Sequence, residues 1–189
     1  MISTILGRQG SGKTIFLVAL AYEEYLKGRT IYSNIHLKFP YEPIDIEQIK
    51  NCELENGVVI WDEMHNVLSS RRFMKKLSII ICDGFMSMVR KKDLDVFGTT
   101  QLLRKLDVRI RDERDYTFEC FKFVFVNNEW INWIRPDREI PKGSPVMIQV
   151  DRYDMQTLEK NTIYFNANDF YNLYDTKEIV KIKGVENYD

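Results

Sequence analysis

Hydrophobic residues in this chain come in short, nearly continuous runs bounded by polar and turn-forming residues, a pattern that reads as buried strands alternating with helices. Ile2–Leu6 is the first strand, residues 29–35 the second, residues 58–61 and Leu94–Thr100 follow, and residues 118–126 form the longest run. Between them, the apolar stretch from Ile15 heads a helix that starts near Thr14 and reaches Leu26 and Lys27, where Gly28 stops it. Pro40 and Pro43 punctuate a loop, residues 44–50 give a short helix, and an apolar-rich segment runs from Phe73 to Val89. Asn127-Asn128 is a turn, and a second strand pair surrounds residues 145–151. The closing aromatics, Tyr164, Phe165, Phe170, Tyr171 and Tyr174, are expected to cover the core rather than stack on bases. With no repeat and no low-complexity linker, the expectation is one α/β domain over 1–189. Its core spans about 1–126, and a β-rich C-terminal elaboration spans about 127–189.

The connection between the first strand and the first helix carries chemistry. Gly7-Arg8-Gln9-Gly10-Ser11-Gly12-Lys13-Thr14 is a G-x-x-x-x-G-K-[ST] loop in the strand–loop–helix setting that the motif requires. Gly7, Gly10 and Gly12 let consecutive N–H groups point inward at phosphates, with Gln9 and Ser11 in the same turn, and the helix N-terminus adds partial positive charge. Lys13 is expected to reach the β- and γ-phosphates of ATP, and the Thr14 hydroxyl to supply an oxygen to Mg²⁺.

Residues 58–61 end in Asp62-Glu63, two carboxylates at the C-terminal end of a buried strand, which matches the Walker B pattern. Ligands of open α/β sheets sit at that edge, so these carboxylates are expected to meet the phosphates. Asp62 would hold Mg²⁺ directly or through water, and Glu63 would polarise the attacking water. Leu94–Thr100 delivers Gln101 to the same edge, where an amide can sense the γ-phosphate or orient the water.

At 189 residues there is room for one complete domain and little more. The net charge of −1 conceals a segregation. Residues 71–114 hold 12 basic and 6 acidic side chains, against 6 and 9 before them and 9 and 13 after them. The middle third could face a polyanion, although a solvated helix face gives the same pattern. Cys52, Cys82 and Cys120 form no C-x-x-C pair and read as reduced thiols of a cytoplasmic protein. With only His36 and His65 no zinc constellation can be drawn, no run reaches the ~18 apolar residues of a membrane span, and a leading core strand leaves no room expected for a signal peptide.

Together these residues resemble the HerA/FtsK superfamily of P-loop ATPases. Within it they are most similar to viral genome-packaging ATPases and to the N-terminal ATPase domain of the zonular occludens toxin (Zot) family of filamentous phages. The likeness rests on the phosphate loop, on Ile31-Tyr32-Ser33-Asn34-Ile35, on Ile60-Trp61-Asp62-Glu63-Met64-His65, and on Arg90 through Gln101. In that superfamily an arginine eleven residues before the sensor glutamine acts on the neighbouring subunit's nucleotide, and Arg90 stands there. Residues 109–111 and 174–176 are similar with less specificity. The resemblance implies an ASCE, RecA-like, mostly parallel sheet flanked by helices, with the strand of Gln101 between the phosphate-loop strand and the Walker B strand.

It further implies an ATP-driven DNA translocase working as a homo-oligomeric ring, hexamer or pentamer, in the host cytoplasm or on the virion, with a capsid or virion membrane protein as docking partner. Arg71, Arg72, Lys75, Lys76, Lys91 and Lys92 are the candidates for sequence-independent contacts to DNA phosphates. Against that family pattern, the sequence is expected to carry no transmembrane helix or periplasmic extension of the phage toxins, no N-terminal barrel of HerA helicases and no winged helix of FtsK translocases. Three alternatives stay open: a Zot-like phage assembly or secretion ATPase, a nucleotide kinase, and an assembly protein that binds ATP without using it.

Overall fold

The computed structural model of the chain describes residues 1–68, 75–133 and 139–175, and of Lys75, Lys76 and Ser78 the backbone. Its strands are β1 (Ile2–Leu6), β2 (Thr30–Ser33), β3 (Glu42–Pro43), β4 (Gly57–Trp61), β5 (Leu94–Thr100), β6 (Tyr116–Val126), β7 (Glu129–Asn132), β8 (Val146–Asp154) and β9 (Lys160–Asn166). They form one sheet in the order β3-β2-β4-β5-β1-β6-β8-β9, with β7 alongside β6. The strands from β3 to β6 in that order pair in parallel, and β7, β8 and β9 extend the sheet antiparallel. β5 lies between β1 and β4, the placement that the resemblance implied for the strand of Gln101.

The strands read as apolar runs because both faces are covered. On one face, α1 (Lys13–Leu26) packs Ile15, Leu17, Val18 and Ala21 against Val58, Ile60, Phe97 and Phe118. On the other face, Val59, Trp61, Leu94 and Val96 meet α2 (Ile46–Lys50), the helical segment that begins with α3 (Lys75–Ile80), and α4 (Val108–Glu113). Adjacent residues of β4 thus enter two different cores, and all five are buried. Fully burying a side chain of this kind stabilises by about 1.5–3 kcal/mol.

Local signals place the helix ends. Gly28 (φ 81°) follows the C-cap of α1, and Asp45 caps α2, accepting from the Glu47 N–H at 2.9 Å while its own N–H donates to Gln48 at 3.2 Å. Asn127 and Asn128 both have positive φ, 51° and 64°, and make the two-residue turn from β6 to β7.

The structure adds details to the strand-and-helix reading. Pro43 lies in β3, a two-residue edge strand inside the stretch expected to be loop, where a missing N–H is tolerated. The apolar segment beyond Lys75 continues past α3 as a π-helical turn, Ile81–Met86, at the Asp83-Gly84 interruption; Phe73 lies outside the described residues. The wider turn keeps Ile81, Cys82, Phe85 and Met86 all facing the core. Phe165, Phe170, Tyr171 and Tyr174 cover the α1 face as expected, whereas Tyr164 is 59% exposed on the edge strand β9.

Candidate functional site

The parallel strands end at one edge of the sheet. Ser33 pairs with Ile60, Trp61 with Gly98, and Thr100 with Leu6, so Asn34, Asp62, Gln101 and Gly7 follow at neighbouring levels. Apolar strands that end in polar residues thereby concentrate those residues beside the phosphate loop.

The loop wraps from β1 into α1. Gly10 and Gly12 hold φ values of 75° and 96°, in the region that favours glycine, and a Cβ on Gly12 would lie 2.5 Å from Ile148 of β8. The C-terminal extension therefore supports the loop from behind. Ser11 N–H donates to the Arg8 carbonyl at 3.1 Å, and the Lys13 ammonium donates to that same carbonyl at 3.0 Å. Lys13 is 6% exposed, and burial lowers its pKa against the opposing pull of Glu63 and Asp62.

Asp62 is the hub. Its carboxylate accepts from Thr99 Oγ1 at 2.6 Å and lies 3.2 Å from the Thr14 hydroxyl at both oxygens. Its backbone is clamped by Asn34, which accepts from the Asp62 N–H at 2.7 Å and donates to the Asp62 carbonyl at 2.9 Å. Burial raises its pKa, against the hydrogen bonds from Thr99 and Thr14. Thr99 also accepts from the Glu63 N–H at 2.8 Å, so one hydroxyl ties both carboxylate residues to β5. Glu63 has φ 52°, a left-handed conformation that costs a non-glycine residue roughly 1–3 kcal/mol, and these contacts hold it there. Its carboxylate lies 3.3 Å from His65 Nε2, and the other nitrogen of that ring lies 3.3 Å from Thr100 Oγ1.

These residues fit a magnesium–nucleotide phosphate. A hydroxyl and a buried carboxylate are hard oxygen donors of the kind that Mg²⁺ takes, and the raised pKa of Asp62 marks a negative charge that the fold leaves incompletely compensated. Ser11 Oγ, within the loop, is buried without a hydrogen-bond partner.

The structure brings Gly7, Gln9, Gly10, Ser11, Gly12, Lys13, Thr14, Asp62 and Glu63 to one edge, with Gln101 half-buried one residue beyond Thr100. It does not bring Arg90 there. Arg90 precedes β5 at the opposite edge, about 20 Å away by strand rise, with its side chain 74% exposed and paired to Asp115 at 2.7 Å. A cavity of about 480 Å³ lies beside it, remote from the phosphate loop. Of the six candidate DNA contacts, Arg71 and Arg72 and the side chains of Lys75 and Lys76 lie outside the described residues. Lys91 is exposed, and Lys92 pairs with Glu55 at 3.3 Å. The residues 174–176 motif is described as far as Asp175.

Asn34, Thr99 and His65 stand within the stretches that carry the resemblance, but the sequence alone assigned none of them a task of its own at the site. The signal was present, since each stands at or just past the end of an apolar run on the same edge. Only the pairing register turns that into contact with Asp62 and Glu63.

No protein-family model matches the chain, and no curated protein matches it. Solved structures do. The N-terminal domain of zonular occludens toxin from Neisseria meningitidis has a TM-score of 0.58 at 18% identity, over 92% of this chain and 98% of that one. The genome packaging NTPase B204 from Sulfolobus turreted icosahedral virus 2, in complex with ATP-gammaS, has a TM-score of 0.51 at 13% identity, over 85% and 95%. The ATPase domain of G40P has 0.54 at 9% identity, over 93% and 84%. The likeness, at these identities, establishes the fold: a P-loop NTPase core, mixed α/β with a mostly parallel sheet.

Proposed function

We propose that this P-loop NTPase hydrolyses ATP, and that a ring of its copies uses the cycle to move DNA as a genome-packaging motor. The observation that carries the hydrolysis is the Thr14–Asp62–Thr99–Glu63 network beside the phosphate loop, in which a base is held next to the residues that would hold Mg²⁺. Loop N–H groups and the Lys13 ammonium bind the β- and γ-phosphates. Mg²⁺, when bound through Thr14 and Asp62, neutralises charge on the phosphate oxygens. Glu63, 30% exposed, takes a proton from a water whose oxygen attacks the γ-phosphorus as the bond to the ADP oxygen breaks, giving ADP and inorganic phosphate. Gln101 orients that water or reports the γ-phosphate. Arg90 completes the site of a neighbouring subunit, a role supported by its exposure and by its distance from its own phosphate loop.

The role in moving DNA is supported by the likeness to B204, a genome packaging NTPase, and by the basic excess in residues 71–114. A second reading, a phage assembly or secretion ATPase, is favoured by the likeness to the toxin's N-terminal domain. Among the described residues no helix is long and apolar enough to cross a membrane. In either role the proposed docking partner is a capsid or membrane protein.

Mixing two defective variants tests the shared site. Glu63→Gln keeps the arginine and lacks the base, and Arg90→Ala keeps the base and lacks the arginine. Each alone should turn over ATP poorly, since an arginine finger contributes roughly 10³–10⁵ in rate. An equimolar mixture should recover activity that rises with protein concentration and with DNA. A mixture no faster than its components, or an Arg90→Ala variant as fast as the parent, refutes the shared site. Recovery that is indifferent to DNA refutes the motor and favours the assembly reading.

A further inference from the structure

The C-terminal extension does more than support the phosphate loop. β1 leaves β6 at Glu119, and β7 joins the same edge only at Phe123, so residues 120–122 form a window in that edge with no strand beside it. The Cys120 carbonyl faces the loop across this window, 3.0 Å from where a Cβ on Gly7 would stand. A cavity of about 330 Å³ fills the space between, lined by Gly7, Gln9, Cys120, Lys122, Asn132 and Trp133 among others. It is continuous with the phosphate loop, and its volume lies at the small end of ligand pockets.

Two side chains give this cavity chemistry. Trp133 is half-buried and packed against the α1-side core, and its backbone N–H donates to the Lys122 carbonyl at 2.7 Å. Its ring offers a flat apolar wall of the kind on which a base stacks. Lys122 is half-buried with no hydrogen bond or ion pair to its ammonium among the described residues, and burial lowers its pKa. A half-buried donor without an acceptor calls for one from a ligand, since an unsatisfied polar group in such a place is costly. Cys120, by contrast, is buried and its pKa is raised, so it stays a neutral thiol in the wall.

We infer that the window between β1 and β7 is the subsite for the purine base of the bound nucleotide, with Trp133 as its stacking wall and Lys122 as a donor to an acceptor atom of the base. This rests on the nucleotide reading above and adds what determines which nucleotide is taken. A purine suits this window better than a pyrimidine because its two fused rings cover more of the Trp133 wall, and in adenine the amino group can donate to a main-chain carbonyl of the strand edge. Recognition is thereby divided: the parallel core binds the phosphates, which every nucleotide shares, and the antiparallel extension reads the base.

Titration calorimetry of the full chain with Mg·ATP, Mg·CTP and inorganic tripolyphosphate separates the two halves. The parent should bind ATP more tightly than CTP and tripolyphosphate. Trp133→Ala should weaken ATP roughly 5–150-fold and leave tripolyphosphate within about twofold, as expected when a stacking contact is removed. Lys122→Met, which removes the charge but keeps the stem, should weaken ATP selectively in the same way and serves if Trp133→Ala fails to fold. Parallel losses for ATP and tripolyphosphate in both variants would make the wall merely a support of the loop, and unchanged ATP affinity in both would place the base elsewhere; either overturns the inference. A parent that binds tripolyphosphate but does not distinguish ATP from it also overturns the subsite while sparing the phosphate loop. A parent that binds none of the three removes the nucleotide reading itself.

Discussion

Two aspartates of this sheet are almost fully buried, Asp62 at 6% exposure and Asp151 at 4%, and the fold treats them in opposite ways. Around Asp151, on β8, burial would raise the pKa, but hydrogen bonds from Lys160 at 2.8 Å, Thr162 at 2.8 Å and Gln149 at 3.1 Å outweigh it and hold the carboxyl below its usual range. Around Asp62, at the end of β4, the nearest donors are the hydroxyls of Thr99 and Thr14, while the Lys13 ammonium is engaged with the Arg8 carbonyl. There burial prevails and the pKa rises. One negative charge is neutralised within the fold and contributes to its stability. The other is left undercompensated beside a phosphate loop, where a cation can complete it. On the proposed reading the same residue type is structural in the extension and functional in the core, and the contrast lies in how deeply each carboxylate is enclosed as well as in the charge of its partners.

The comparison can be broken first at the residue beside Asp62. Glu63→Gln removes the base and its charge but keeps the side chain's shape and leaves Lys13, Thr14 and Asp62 in place, so ATP turnover should fall about 10²–10⁴-fold while nucleotide affinity, read by calorimetry, is not weakened. Thr99→Val withdraws the hydroxyl that serves both Asp62 and the Glu63 N–H; turnover should drop on the order of tenfold, measured under saturating ATP. Asn34→Ala strands the buried N–H and carbonyl of Asp62, and denaturant unfolding should show a loss of about 1–3 kcal/mol. Asp151→Asn sharpens the contrast from the other side. Its carboxyl is depressed in the folded state, so the stability it contributes is present above the unfolded pKa of about 3.9 and is lost as pH falls through the folded value. The variant should therefore unfold more easily than the parent near neutral pH, by about 1–3 kcal/mol, with the gap closing in acid.

Much of this could be read from the sequence, for identifiable reasons. The glycines and Lys13 of the loop announce their conformation and charge locally, and strands buried on both faces leave unbroken apolar runs such as residues 58–61. Asp62 and Glu63 were legible as carboxylates at a strand end. The two opposite fates of Asp62 and Asp151 were not, because they depend on which strands lie side by side. Thr99 reaches Asp62 only through the β4–β5 register, and Thr162 reaches Asp151 only through β8–β9. The cavity at residues 120–122 arises from where two other strands stop, which no local pattern in β6 records. The π-helical turn after α3 is likewise a response to a core on one side and Asp83-Gly84 on the other.

The most direct measurement is the thermal unfolding midpoint of the parent and of Asp62→Asn, each with and without Mg·ATP. A raised folded-state pKa means that the ionised Asp62 works against folding at neutral pH, an effect that fades as pH falls through its folded value toward the unfolded one. Without ligand, Asp62→Asn should therefore melt no lower than the parent; with Mg·ATP the parent should gain several degrees and the variant little. A variant that melts well below the parent without ligand, yet gains as much from Mg·ATP, would show that Asp62 is a structural aspartate like Asp151 and that the site is not built around it.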